Sequence, residues 1–83
     1  METEPSPLFE LGRRIKAARA RAGLTQEQLA ALSGLDRTYI SMVERGRRNI
    51  SVLNLLKLIH SLELDAGTIV NGLGSKDSGA CDE

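Results

Sequence analysis

The chain has no tryptophan, and in 83 residues it has one phenylalanine, one tyrosine and one cysteine. With so few aromatic rings, a core must be assembled from Leu, Ile, Val and Ala. That palette suits packed helices better than a sheet, whose strands favour aromatic and β-branched residues. The lone thiol, Cys81, excludes an intrachain disulfide, and its place in a polar stretch points to a surface position. No apolar run is long enough to cross a bilayer. The opening METEPSPLFE is acidic where a secretory leader is basic, and the closing GACDE lacks a prenylation pattern. The expectation is one small domain in a reducing cytoplasm. A core of this size is near its lower limit, and pairing with a second copy is a common source of further buried area.

Catalytic patterns are missing as well. The only histidine, His60, lies in the Leu-rich VLNLLKLIHSLE without the cluster of Cys, Asp or Glu that a metal site needs. There is no glycine-rich phosphate loop and no nucleophile paired with a base. The sequence therefore predicts neither an enzyme nor a metal, cofactor, small-molecule substrate or membrane as partner.

Net charge is the last absence, and it is a cancellation. Eleven basic residues balance eleven acidic ones, yet residues 13 to 57 hold ten basic side chains against three acidic, a surplus of seven. The compensating acids sit at the two ends: Glu2, Glu4 and Glu10 at one, Glu63, Asp65, Asp77, Asp82 and Glu83 at the other. Such asymmetry is compatible with a solvated face and equally with an anionic partner such as nucleic acid.

What is present in abundance is a start signal for helices. LTQEQL (24–29), LDRTYI (35–40), ISVLNL (50–55) and LDAGTI (64–69) share one order. In each, an apolar residue precedes Thr, Asp or Ser, and a second apolar residue follows four places on. The polar residue is an N-cap whose oxygen accepts from the first-turn N–H groups, and the apolar pair closes over that turn as a staple. Thr25 and Gln28 additionally form a capping box. Upstream, Leu8, Leu11, Ile15, Ala18 and Ala22 recur at helical spacing, with Gly23 as a C-cap. The prediction is an all-α, compact five-helix bundle with helices over 8–22, 26–33, 37–45, 52–62 and 66–72. The domain occupies 8–73, between polar segments 1–7 and 74–83 that lack apolar periodicity and are expected to be disordered.

Gly34 and Leu35 join the second and third helices, the plan of a helix-turn-helix. Ala30 is small where its partner must approach, and Gly34 permits a positive φ. Leu29, Leu35, Ile40 and Val43 face the core. Arg37, Thr38, Ser41 and Met42 are left facing outward, and Arg beside Thr is a combination that reads base edges in the major groove.

GLTQEQLAALSGLDRTYISMVERGRRNIS resembles the Cro/repressor-type helix-turn-helix proteins, with a match extending from about Leu11 to about Leu73. Through DRTYIS and RRN it is most similar to the controller proteins of bacterial restriction–modification systems. Those are small homodimeric regulators that bind palindromic operators and control their own transcription and that of the endonuclease gene. The resemblance implies a lambda-repressor-like domain whose partners are double-stranded operator DNA, a second copy of itself and RNA polymerase. It makes Arg37 and Thr38 the base readers, with Ser41 beside them, and directs Gln26, Arg45, Arg48 and Asn49 to the phosphate backbone. Tyr39 either lies along that backbone or packs its ring on the second helix with its hydroxyl satisfied. The resemblance pairs Arg19 with Glu44 as a structural ion pair, the alternative being a DNA contact for Glu44; Arg13 and Arg14 are expected to stay solvated, the alternative being a phosphate contact.

In the second half Leu55, Ile59 and Leu62 form one core stripe. Leu56, Leu58, Ile69, Val70 and Leu73 then remain to be accounted for. The resemblance assigns a dimer contact to Leu56, Ile69, Val70 and Leu73; the alternative is that they fill the monomer's own core. An antitoxin or prophage repressor, or an interaction or RNA-binding adaptor on the same fold, are the other functions open to this sequence.

Overall fold

A computed structural model describes residues 6–73 of the chain. Five helices follow one another: α1 (Pro7–Arg21), α2 (Gln26–Ser33), α3 (Arg37–Glu44), α4 (Val52–Ser61) and α5 (Ala66–Val70). Among the described residues there is no strand, and no helix is long and apolar enough to cross a membrane. The tail with Cys81 lies outside the described residues, as do residues 1–5.

Three of the four expected caps form hydrogen bonds as the side-chain chemistry requires. Thr25 accepts from the Gln28 N–H at 3.0 Å while the Gln28 amide oxygen accepts from the Thr25 N–H at 2.8 Å. Asp36 accepts from the N–H groups of Thr38 and Tyr39, and Ser51 from that of Asn54. Asp65 occupies the fourth N-cap position but its side chain makes no capping bond. Its backbone carbonyl accepts the Thr68 N–H instead, so the short α5 closes its first turn without the carboxylate. A further cap lies where only a disordered leader was expected. Ser6 accepts from the Phe9 N–H at 3.1 Å, and Pro7 occupies the first helical position, where a missing N–H costs nothing.

The core is aliphatic throughout. Leu11, Ile15 and Ala18 of α1 meet Leu29 of α2, Ile40 and Val43 of α3, Leu58, Ile59 and Leu62 of α4, and Ile69 of α5. One open position is decided here and one expectation is corrected. Leu58 is fully buried and extends the α4 stripe. Ile69 is 2% exposed, committed to the monomer core and therefore removed from any dimer contact. Val70 and Leu73 are half-buried against the same core. Large apolar side chains are left open at Phe9 of α1, at Leu32 of α2 and, as a group on one helix, at Val52, Leu53 and Leu56 of α4.

Arg14 is not solvated either. Its guanidinium donates to the carbonyls of Ile69 and Asn71 at 2.9 and 2.7 Å, and to Glu10 at 3.0 Å. It thereby satisfies two carbonyls at the C-terminal end of α5 and ties that helix to α1. Hydrogen bonds from Arg13 and Arg14 hold the Glu10 carboxyl down to about 2.

Helix α4 ends with a residue in the left-handed region that is not glycine. Glu63, at φ 57°, closes the turn through bonds from its N–H to the His60 carbonyl and from the Leu64 N–H to the Ile59 carbonyl. A side chain in that region carries a steric cost of order 1 kcal/mol that glycine avoids, partly offset by glycine's greater freedom in the unfolded chain. Glu63→Gly is therefore expected to stabilise the domain by about 0.5 kcal/mol. A thermal melt followed by circular dichroism checks this; a lowered midpoint would show that the Glu63 side chain contributes more than its backbone costs.

Candidate nucleic-acid interface

The turn between α2 and α3 sets the site's geometry. Gly34 closes α2 at φ 77°, a conformation a Cβ would strain, and its N–H bonds the Ala30 carbonyl. The chain reverses within three residues, and Asp36 then caps α3 so that Arg37 and Thr38 emerge on its first exposed turn. Ile40 and Val43 face inward and orient the helix. Ser41 and Met42, expected on the open face, are half-covered, so the freely presented side chains are those of the first turn.

A chain of hydrogen bonds runs from the core to that turn. Glu44, at the end of α3, has a side chain 1% exposed and a fork-on-fork pair with Arg19: Nε to Oε2 at 2.6 Å and Nη2 to Oε1 at 3.0 Å. Arg19 also donates to the Leu24 carbonyl. The carboxylate raises the pKa of Arg19 above its usual range, so the cation persists at every pH below that range. Gln26 continues the chain. Its amide nitrogen donates to Glu44 Oε1 at 3.0 Å, and its amide oxygen accepts from Arg37 at 3.0 Å. Gln26 thus ties Arg37 to the buried pair.

Tyr39 is braced from two sides. Its hydroxyl accepts from Asn54 of α4 at 3.2 Å, and the Arg48 guanidinium lies over its ring at 5.1 Å. Arg45, Arg47, Arg48 and Asn49 are all exposed on the segment between α3 and α4. The one acid inside this basic stretch, Glu44, is buried and neutralised, so it does not oppose an anion at the surface.

The structure therefore brings together Arg37, Thr38, Gln26, Tyr39 and Arg48, with Arg45, Arg47 and Asn49 on the adjoining loop. Asn54 and Glu27 were not singled out from the sequence. A lone amide in the otherwise apolar VLNLLKLI was the available sign for Asn54. Among the described residues no group of His, Cys, Asp and Glu is placed to hold a metal ion.

Known proteins share both sequence and architecture. The helix-turn-helix family model matches residues 15–69. The control protein C.SmaI of Serratia marcescens is 37% identical over 67 residues, 81% of this chain and 80% of its own length. The crystal structure of the restriction–modification controller protein C.AhdI from Aeromonas hydrophila superposes with a TM-score of 0.73 at 47% identity, covering 75% of this chain and 94% of that one. The controller protein C.Esp1396I, solved as a tetramer in complex with its natural 35 base-pair operator, superposes with a TM-score of 0.75 at 38% identity over 84% of this chain and 92% of that one.

Proposed function

This chain belongs to the helix-turn-helix family of Cro/repressor type, and from that membership we propose that it is a sequence-specific transcription regulator. It acts in the cytoplasm as a homodimer on a palindromic operator, as the autoregulating controller of a restriction–modification system. Its activity is binding; occupancy of the operator relative to the promoter decides the outcome for transcription, with RNA polymerase the partner that reads it. The functional unit is residues 8–73.

The observation that carries this reading is the exposure of Arg37 and Thr38 on the first turn of α3, beside a loop of open arginines whose adjacent acid in the chain, Glu44, is buried. Arg37 reads guanine O6 and N7, and Thr38 a neighbouring base edge or thymine methyl. Arg45, Arg48 and Asn49 hold phosphates, and Tyr39 supports Arg48. Ser41 and Gln26 supply shorter polar contacts at the rim. Two such surfaces about one helical turn of DNA apart (about 34 Å) read the two halves of a palindrome. The second copy docks on the open apolar face of α4, with Leu56 supported by Val70 and Leu73. The tetramer that the similar C.Esp1396I forms on DNA supports such self-association.

The test is a titration of labelled DNA from immediately upstream of the coding sequence against random competitor at near-physiological salt. The expected result is a discrete complex that survives excess competitor. Arg37→Ala is expected to lower the operator-to-random ratio by about 10- to 100-fold, the equivalent of one bidentate base contact. Arg48→Ala is expected to weaken both equally and to flatten the salt dependence by about one phosphate. Salt-labile smearing alone, or two variants behaving alike, would overturn this division between reading and anchoring.

A further inference from the structure

Arg37, the residue on which selectivity rests under the reading above, is not waiting free. Its Nη1 donates to Gln26 at 3.0 Å, and its Nε lies 3.6 Å from Oε2 of Glu27. Both partners stand in the first turn of α2, fixed there by the Thr25–Gln28 capping box. The Gln26 bond is anchored at its far end by Glu44, so it orients the guanidinium without opposing its charge. Glu27 differs. Its carboxylate faces Arg37 and is open to solvent, with a side chain 70% exposed, whereas the exposed neighbour Asp36 spends its carboxylate capping α3. A carboxylate and the edge of guanine offer an arginine the same thing, two acceptor atoms side by side.

We infer that Glu27 is a built-in competitor for the base-reading arginine, an affinity-limiting latch that operator DNA must displace. Arg37 exchanges the charge contact with Glu27 for the two acceptors of the guanine edge when it grips the base. The released carboxylate then stands beside the phosphate backbone with no counter-charge. Both consequences weaken the complex, and only the first depends on Arg37. A domain with so many exposed arginines needs some means of keeping operator occupancy within a responsive range, and the latch supplies one without touching a base. It also sets the salt response. While Glu27 neutralises Arg37 in the free protein, that arginine adds less to the counterion release on binding than an unpaired one would.

The test measures binding of the full chain to the upstream duplex by fluorescence anisotropy between 50 and 200 mM salt, with a thermal melt to verify folding of each variant. Glu27→Gln is expected to tighten binding about five- to tenfold, the scale of a surface ion pair plus relief of local repulsion, and to steepen the salt dependence by about one. Glu27→Asp keeps the charge but shortens the reach, and is expected to tighten binding about twofold or more. In the Arg37→Ala background the gain from Glu27→Gln should shrink to the repulsive part alone. Equal gains in both backgrounds, with no effect of Glu27→Asp, would leave only bulk charge and overturn the latch. A wild-type chain with no preference for the upstream duplex would overturn the regulator reading, and the latch with it.

Discussion

Arg19→Ala is expected to destabilise the domain by about 3–5 kcal/mol. The carboxylate it leaves behind is 1% exposed, too deep for water to replace the lost guanidinium. Among the described residues the Gln26 amide alone would remain as a side-chain donor to it, and one neutral donor does not compensate a buried charge. The same substitution at an exposed pair costs about 1 kcal/mol or less, so the measurement separates the two situations cleanly. Chemical denaturation with urea is the appropriate experiment, because the change in midpoint at constant slope reports stability directly. Pairing Arg19→Met with Glu44→Leu should recover much of the loss, since an apolar pair of similar volume avoids both desolvation penalties. It should not restore DNA binding fully, because Gln26 would lose the partner that orients it toward Arg37. A loss below 1 kcal/mol from Arg19→Ala would show that Glu44 finds water, and that the chain of bonds from α1 to Arg37 contributes little.

Gly12→Ala is expected to be damaging at a site that intrinsic helix propensity would improve. Gly12 lies inside α1, where alanine would favour the helix by about 1 kcal/mol. A Cβ there would collide with the Val43 carbonyl oxygen and fall 2.7 Å from that of Glu44. These are backbone atoms of the last turn of α3, held by the buried Val43 side chain and by the Arg19–Glu44 pair, so they have no room to yield. The helices must separate, and the expected net cost is about 3 kcal/mol or more. Operator binding should fall too, even at temperatures where the variant remains folded, because α3 would be displaced relative to the rest of the domain. Stability and binding are read from a thermal melt and an anisotropy titration on the same sample. A rise in melting temperature would mean that propensity dominates and that α1 and α3 are not in backbone contact.

The elements were legible because their signals are local. Thr25, Asp36 and Ser51 act within one turn of themselves, and the α2, α3 and α4 starts follow from them to the residue. The Arg19–Glu44 pair was available only through family resemblance, since twenty-five positions separate the two. Gly12 carried a sign that went unused, a glycine within an amphipathic helix where close packing is the usual reason. Arg14 and Ile69 were misplaced, and Leu58 was left unplaced, for one cause. Which side of α4 is covered, and which carbonyls at the end of α5 need a donor, are settled by how α1, α4 and α5 stack, and periodicity records no such arrangement. The bonds of Gln26 to Glu44 and Arg37 were not legible, because those partners lie eighteen and eleven positions away along the chain.

Asn54 reaches Tyr39 from the same helix that leaves Val52, Leu53 and Leu56 open, so α4 faces two ways. In a dimer closed through α4, the distance between the two reading heads is then a dimension of the protein interior, as fixed as the packing of Leu58 against Leu29. The gap between operator half-sites that the regulator tolerates becomes a property of aliphatic side chains that no nucleotide touches. Drift in the core would move that gap while every DNA-facing residue stayed the same.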